Sequence, residues 1–315
     1  MRPSVGIARD LRNGVIVAVF VVSMFVVILA AQTDTVPNSS SMFEVIGTAT
    51  ADSVPVVCHH FFREDVAPIE VFKIIGALFF NLPLIDDLNV WTQTRSSFEK
   101  QIRYLKQNGY TTVSLDDLIA WRSGQKTLPR KSVVITFDDG DRSVLEVAYP
   151  ILEKYRMTAT MFVVTDFVGQ EEDGIRGLTW DELRFLRDSG VFAIESHTHG
   201  LHYKVKTTDG YLPAAVAMSE GLYTPGWDDS WQAAVLHDLE KSRRLIAQNL
   251  GGETRHLSWP YGFSSPGLDS LAASCGFQTV ATLQYGQNTA EHVRTVKRFT
   301  ITSRTSLRAY ARMVP

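Results

Sequence analysis

Two cysteines, Cys58 and Cys275, in a chain of 315 residues do not make a disulfide framework. Both sit in apolar surroundings, Val-Val-Cys and Ala-Ser-Cys-Gly, and read as buried thiols that fill core space. An excess of one charge is lacking too. The formal net charge of −3 is too small to argue for a nucleic-acid or acidic-surface partner. No basic run interleaved with aromatics appears, so no nucleic-acid partner is expected. There is no internal repeat. The hydrophobic and charged fractions, 45% and 21%, are those of an ordinary globular protein, and the length fits one large α/β domain or two small ones.

The N-terminus departs from that average. Val15 to Ala31 contains one polar residue, Ser23, and is preceded by Arg2, Arg9 and Arg12 against the single acid Asp10. A basic flank followed by an apolar run is the layout of a secretory signal or a signal anchor. The run is near the ~17-residue lower limit for spanning a bilayer. The arginines predict that residues 1–14 are cytoplasmic and the rest of the chain outside. Cleavage after Ala31 would put Leu29 where a small residue is preferred, which favours an uncleaved anchor over residues 15–31. Residues 32–52, rich in Ser, Thr and small side chains, read as a linker to a domain over 53–315.

Within that domain strands and helices alternate. Val54–Cys58 reads as a strand running into His59-His60. Phe98, Ile102 and Leu105 have helical spacing, closed by Gly109. Thr112–Leu115 reads as a strand, with Asp116 capping a helix through Trp121. Further strands are expected at 132–137, 158–164, 192–194, 257–259 and 279–282, and helices at 144–155, 181–189, 236–249 and 268–274. Such alternation predicts a parallel sheet with helices outside. Residues 207–231 break the pattern and read as an inserted loop, the kind often found beside an active site.

The polar clusters all fall just after strands, the end where α/β folds build active sites. In Thr136-Phe137-Asp138-Asp139-Gly140, two adjacent carboxylates end an apolar run. They are costly there unless used, and can face one site only if the strand ends, with Gly140 supplying the bend. One can bind a metal while the other acts as a base. Ser196-His197-Thr198-His199-Gly200-Leu201-His202 places three histidines in six residues. Imidazoles are common ligands for zinc and similar ions, and two of them with one carboxylate leave positions open for water and substrate. His197 and His202 fit that role, whereas His199 reads as solvent-facing. Ser258-Trp259-Pro260-Tyr261-Gly262 ends a strand with a flat apolar surface suited to a sugar ring and with N–H groups suited to an oxyanion. His60 lies at the same sheet end and can donate a proton near neutral pH.

Together the four clusters resemble the polysaccharide deacetylases of carbohydrate esterase family 4, the NodB-homology domain. Thr136–Gly140 matches that family's first motif, and Ser196-His197-Thr198 with His202 is similar to its histidine motif. The five-residue His197–His202 spacing looks like the biofilm branch, the poly-β-1,6-N-acetylglucosamine N-deacetylases. That branch is circularly permuted, and Val56-Val57-Cys58-His59-His60 ahead of the Asp-Asp motif resembles its arrangement. The resemblance runs from about Pro55 to the C-terminus. Three features depart from it. Ser258 stands where an arginine is usual, His59 stands where a tyrosine is usual, and no second, glycosidase-like domain follows.

The resemblance implies a distorted (β/α)7 barrel and a metal-dependent N-deacetylase. It implies Asp139, His197 and His202 as ligands of a divalent metal, zinc first, with cobalt, nickel or iron(II) as alternatives. Asp138 is the implied general base, the Tyr261 N–H the oxyanion donor and His60 the acid. Trp259 and Pro260 contact the sugar, and Arg298 orients Asp138. The partners implied are an N-acetylated polysaccharide, the membrane through the N-terminal helix, and the machinery of polysaccharide synthesis or export. A periplasmic or cell-surface location follows, or a secreted one if the N-terminal segment is cleaved. Chitin oligomers and peptidoglycan compete as substrates, and a catalytically silent carbohydrate-binding protein on the same fold competes as a class. A glycosidase is disfavoured, because neighbouring carboxylates do not give the ~5–9 Å separation across a substrate that glycosidases use.

Overall fold

The computed structural model describes residues 53–65, 90–172, 175–224, 230–291 and 294–315. The expected anchor at 15–31 and linker at 32–52 lie outside the described residues. Among the described residues, no helix is long and apolar enough to cross a membrane.

A curled sheet of nine parallel strands organises the domain. In chain order these are β1 (Val56–His59), β2 (Thr111–Thr112), β3 (Ser132–Phe137), β4 (Ala159–Val163), β5 (Phe192–Ser196), β6 (His256–Ser258), β7 (Thr279–Ala281), β8 (Thr295–Val296) and β9 (Phe299–Thr300). Their order across the sheet is β8-β7-β6-β5-β4-β3-β1-β9, with β2 beside β3. All six residues of β3 are buried, as expected of an apolar run covered on both faces. The two edges belong to one short segment. Thr295–Val296 pairs with β7 and Phe299–Thr300 pairs with β1, leaving Arg298 between them. The Ile301 N–H donates to the Cys58 carbonyl at 2.9 Å and extends the second contact.

Helices α1 (Arg95–Gln107), α2 (Leu115–Arg122), α3 (Tyr149–Tyr155), α4 (Trp180–Asp188), α5 (Ala214–Ser219), α6 (Trp231–Leu250), α7 (Pro266–Ser274) and α8 (Leu307–Met313) follow or flank the strands. In α1 the buried set Phe98, Gln101, Ile102 and Leu105 recurs at the spacing of one helix face. Phe98, Ile102 and Leu105 pack with Phe137, Leu152 and Met161 in the largest apolar cluster. A second cluster joins Leu201, Met218, Leu239, Trp259 and Leu268.

Local chemistry shifts several expected boundaries. Ser114, not Asp116, caps α2: its side chain accepts from the Asp117 N–H, and Asp117 accepts in turn from the Ser114 N–H. That capping box pulls residues 113–115 out of the expected strand, which ends at Thr112. Asp116 instead bonds Arg255 and His256. The expected helix over 144–155 begins as a π-helical turn, Val144–Ala148, before α3. The region read as an inserted loop at 207–231 opens with the second strand of an antiparallel hairpin, Lys204–Thr207 with Gly210–Pro213, followed by α5, whose alanines are buried.

The N-terminus of α4 is closed by a second capping box, Thr179 with Glu182. Thr179→Ala should lower unfolding stability by about 1 kcal/mol. Urea melts of the purified domain should show this as a shifted midpoint with an unchanged slope.

Candidate active site

Parallel strands put their C-terminal ends on one edge, and register aligns them there. His59 lies opposite Phe137, and Ser196 lies opposite Val163 and Leu257. The residues that follow, His60, Asp138, Asp139, His197 and Tyr261, therefore meet around one cavity of about 580 Å³. His202 and Lys204 join them from the chain leading into the hairpin.

Turning two neighbouring side chains into one site requires unusual backbone. Asp139 adopts φ 72°, in the left-handed region that favours glycine, and Gly140 follows at φ 85°. The bend assigned to Gly140 is thus shared with Asp139 itself. A Cβ on Gly140 would stand 3.1 Å from Val163 Cγ1, so strand β4 closes the space. Thr198 (φ 70°) and Tyr261 (φ 60°) repeat the device at the ends of β5 and β6. Three of the four left-handed non-glycine residues described line this one edge, where such strain tends to collect.

Asp138 is buried and meets the guanidinium of Arg298, which has no exposed surface. Arg298 Nη1 donates to Oδ1 at 2.7 Å and Nη2 to Oδ2 at 2.8 Å. Nη2 also donates to Ser258 Oγ at 2.8 Å, Nε donates to the Thr282 carbonyl at 3.0 Å, and Ser258 Oγ donates to Asp138 Oδ2 at 3.1 Å. The serine that stands in place of the expected arginine is thus part of the contact, and the arginine arrives from Arg298. Burial pushes the Asp138 carboxyl up, but Arg298 and the nearby histidines overcome this and hold it at about 2.

Asp139, His197 and His202 each offer one ligand atom, all within 4.8 Å of one another. Asp139 Oδ1 lies 3.4 Å from His197 Nε2 and 3.2 Å from His202 Nε2, yet it is buried without a hydrogen-bond partner among the described residues. His197 Nδ1 is 2.7 Å from the Ser258 carbonyl, which can only accept, so Nδ1 carries the proton and neutral Nε2 turns its lone pair to Asp139. Lone pairs facing each other in a buried pocket call for a cation between them. Burial opposes ionisation of Asp139, but His197 and His202 hold its carboxyl well below the usual range. Burial likewise lowers His197, and Asp138 and Asp139 outweigh it and raise the imidazole. The donor set, two imidazoles and one carboxylate, fits zinc or a similar divalent ion with open positions.

His60 faces the same cavity, with Trp91 at 4.8 Å between ring centroids. Burial depresses its imidazole, opposed by the charges of Asp139 and Asp138. His59 points the other way, into Phe62, Phe98 and Phe137, with Nδ1 at 2.6 Å from Gln93 Oε1, and burial lowers it to about 4. Tyr261 packs tilted against His202, with ring centroids 4.7 Å apart, and Lys204 Nζ sits 4.5 Å over the tyrosine ring.

Two expected contacts are corrected. Trp259 has no exposed surface, and its Nε1 donates to Asp269, so it supports the turn from beneath and offers no face to a sugar. Pro260 is buried beside it. The apolar walls of the cavity include Trp91, Phe167, Phe263 and Leu283, which scattered apolar residues in a sequence do not announce. His199 is half-buried, with Nδ1 2.9 Å from Thr165 Oγ1 rather than facing open solvent, and takes no part in the cavity. Both cysteines are buried and free.

The histidine-bearing loop is held by a buried carboxylate that the sequence did not single out. Asp238 of α6 accepts from the N–H groups of His199 at 2.8 Å and Gly200 at 2.7 Å. Burial pushes its carboxyl up from the ordinary 3.8 to about 6, against the pull of those donors and of Lys241.

A parallel α/β sheet thus gathers a His-His-Asp cluster and an arginine-paired aspartate at its C-terminal edge. Residues 125–280 match the family model for polysaccharide deacetylase. A Staphylococcus aureus (strain MSSA476) protein named poly-β-1,6-N-acetyl-D-glucosamine N-deacetylase is 30% identical over 177 residues. That alignment covers 56% of each chain, so this chain spans little more than half the length of the curated relative it matches. The structure of IcaB from Ammonifex degensii superposes with a TM-score of 0.66 at 26% identity, over 84% of this chain and 98% of that one. A de-N-acetylase from Aggregatibacter actinomycetemcomitans gives 0.67 at 25%, over 83% and 100%.

Two measurements follow. Arg298→Met leaves Asp138 buried and unpaired, and should cost about 3–5 kcal/mol in denaturant unfolding. For Asp238, a folded-state value above the unfolded one favours folding in acid, and that contribution is lost as pH rises through about 6. The stability of wild type relative to Asp238→Asn should therefore fall between about pH 4 and pH 7, by at most roughly 3 kcal/mol. Urea midpoints at the two pH values check the sign.

Proposed function

We propose that the protein removes acetyl groups from an N-acetylated extracellular polysaccharide of the poly-β-1,6-N-acetylglucosamine type, releasing acetate and leaving glucosamine units in the polymer. The observation that carries this reading is the convergence of Asp138, Asp139, His60, His197 and His202 on one cavity with aromatic walls. The name of the Staphylococcus aureus relative supports the substrate class. The fold is read as a distorted (β/α)7 barrel.

Asp139, His197 and His202 would hold a divalent cation, zinc first, with cobalt, nickel or iron(II) as alternatives. When bound, it supplies Lewis acidity to a water molecule and to the acetamide carbonyl. Asp138 takes the proton of the attacking water. Its pairing with Arg298 fixes both carboxylate oxygens and keeps it ionised at neutral pH. The Tyr261 N–H meets the negative charge that develops on the acetyl oxygen. His60 hands a proton to the departing nitrogen as the C–N bond breaks. Trp91, Phe263 and Leu283 lie against the sugar and limit water.

The apolar run at 15–31 with its arginine flank supports placing the domain outside the cytoplasm, anchored to the membrane, or secreted where that run is removed. The polysaccharide synthesis or export machinery is the partner consistent with that placement.

Acetate release from poly-β-1,6-N-acetylglucosamine, chitin oligomers and peptidoglycan, with and without chelator, tests the reading. Asp139→Asn and His197→Ala should lose bound metal and activity together. Asp138→Asn should keep metal and lose at least about a hundredfold in kcat. Near-normal turnover of Asp138→Asn would remove the base assignment, and chelator-insensitive acetate release would remove the cation.

A further inference from the structure

Along a strand, side chains alternate between faces, so Cys58 and His60 share one face of the chain at the end of β1 while His59 takes the other. His59 occupies the aromatic core. Cys58 and His60 therefore turn towards Asp138. Cys58, His60 and Asp138 each present one ligand atom, and these atoms all lie within 4.8 Å of one another. None of the three belongs to the Asp139–His197–His202 set.

Two features separate this cluster from ordinary packing. Cys58 has no exposed surface, and its Sγ lies beside Thr136 and 3.9 Å from the carbonyl of His59. His60 Nδ1 is buried with no hydrogen-bond partner among the described residues. A tetrahedral zinc-like ion holds sulfur and nitrogen or oxygen donors about 3.5 Å apart.

We propose that Cys58, His60 and Asp138 form a second cation site that takes a thiophilic divalent ion and, on the deacetylase reading given above, switches the enzyme off. Binding exchanges the thiol proton for the cation: the S–H bond breaks, the S–metal bond forms, and the proton leaves to water. No oxidant or reductant is consumed. The sulfur donor gives this site a softer preference than the Asp139 site, which holds only nitrogen and oxygen. The adjacent Arg298 guanidinium repels a cation, so this site fills second. Once filled, it ties up His60 and Asp138 together, the two groups that move protons in the reaction.

The test uses the whole protein loaded with one equivalent of cobalt(II) and titrated with more. Only a thiolate ligand gives sulfur-to-cobalt charge-transfer absorption in the near ultraviolet, and the Asp139 site has no sulfur. In a Cys275→Ser background, the band should be absent at one equivalent and grow with the second. Cys58→Ser, or Cys58→Ala should the serine variant fold poorly, should lack the band and still bind the first ion. Acetate release should fall as the second ion binds, and the Cys58 variants should need at least about tenfold more cobalt for the same inhibition. A Cys275→Ser protein without the band at saturating cobalt, a band that grows with the first equivalent, or a band that survives in the Cys58 variants overturns the second site. Absence of acetate release at one equivalent would instead overturn the deacetylase reading, while the band still decides the cysteine site.

Discussion

An arginine with no exposed surface has surrendered its water, and it stays charged there only if the protein replaces that water completely. Asp138, Ser258 Oγ and the Thr282 carbonyl do so for Arg298. These partners come from the ends of β3, β6 and β7, so one guanidinium ties together strands distant in sequence. The same contact fixes both oxygens of the carboxylate assigned as base. Ser258 reaches further, since its carbonyl also sets the tautomer of His197. Base, arginine and one candidate metal ligand are thus mechanically one unit.

That unit demands backbone that a relaxed chain avoids. Asp139, Thr198 and Tyr261 each take left-handed φ immediately past a strand. A non-glycine residue in that region costs about 1–3 kcal/mol. The buried apolar strands beneath hold the turns in place. A site of this kind is rigid because its strain leaves few alternatives, which suits chemistry that depends on fixed distances.

Much of the site was legible because its chemistry is carried by short runs. Asp138-Asp139 after an apolar strand, and His197 with His202 after another, announce themselves through residue types that are costly to place without use. Arg298 was legible only weakly, since an isolated arginine near a strand end has many duller explanations, and its role depends on the closure of the sheet. Trp259 was misread because a turn has no periodicity from which to tell inside from outside, and its partner Asp269 is ten residues further on. Ser258 appeared as a missing arginine, although a hydroxyl bridging guanidinium and carboxylate does part of the same work. Residues 207–231 looked irregular, yet Lys204–Pro213 contains alternation around Asp209-Gly210, which is a hairpin signal. Trp91, Phe263 and Leu283 carry no local signal at all, and only the folded cavity gathers them.

The segment from Thr295 to Thr300 stitches the last-made strands to the first. Until it docks, β1 lacks its outer neighbour and Asp138 has no counterion. A ribosome must therefore have synthesised almost the whole domain before the proton-accepting carboxylate can settle into its ionised, aimed state. Partial chains emerging from synthesis would be inert, with competence arriving in a single late step when Phe299–Thr300 docks on β1.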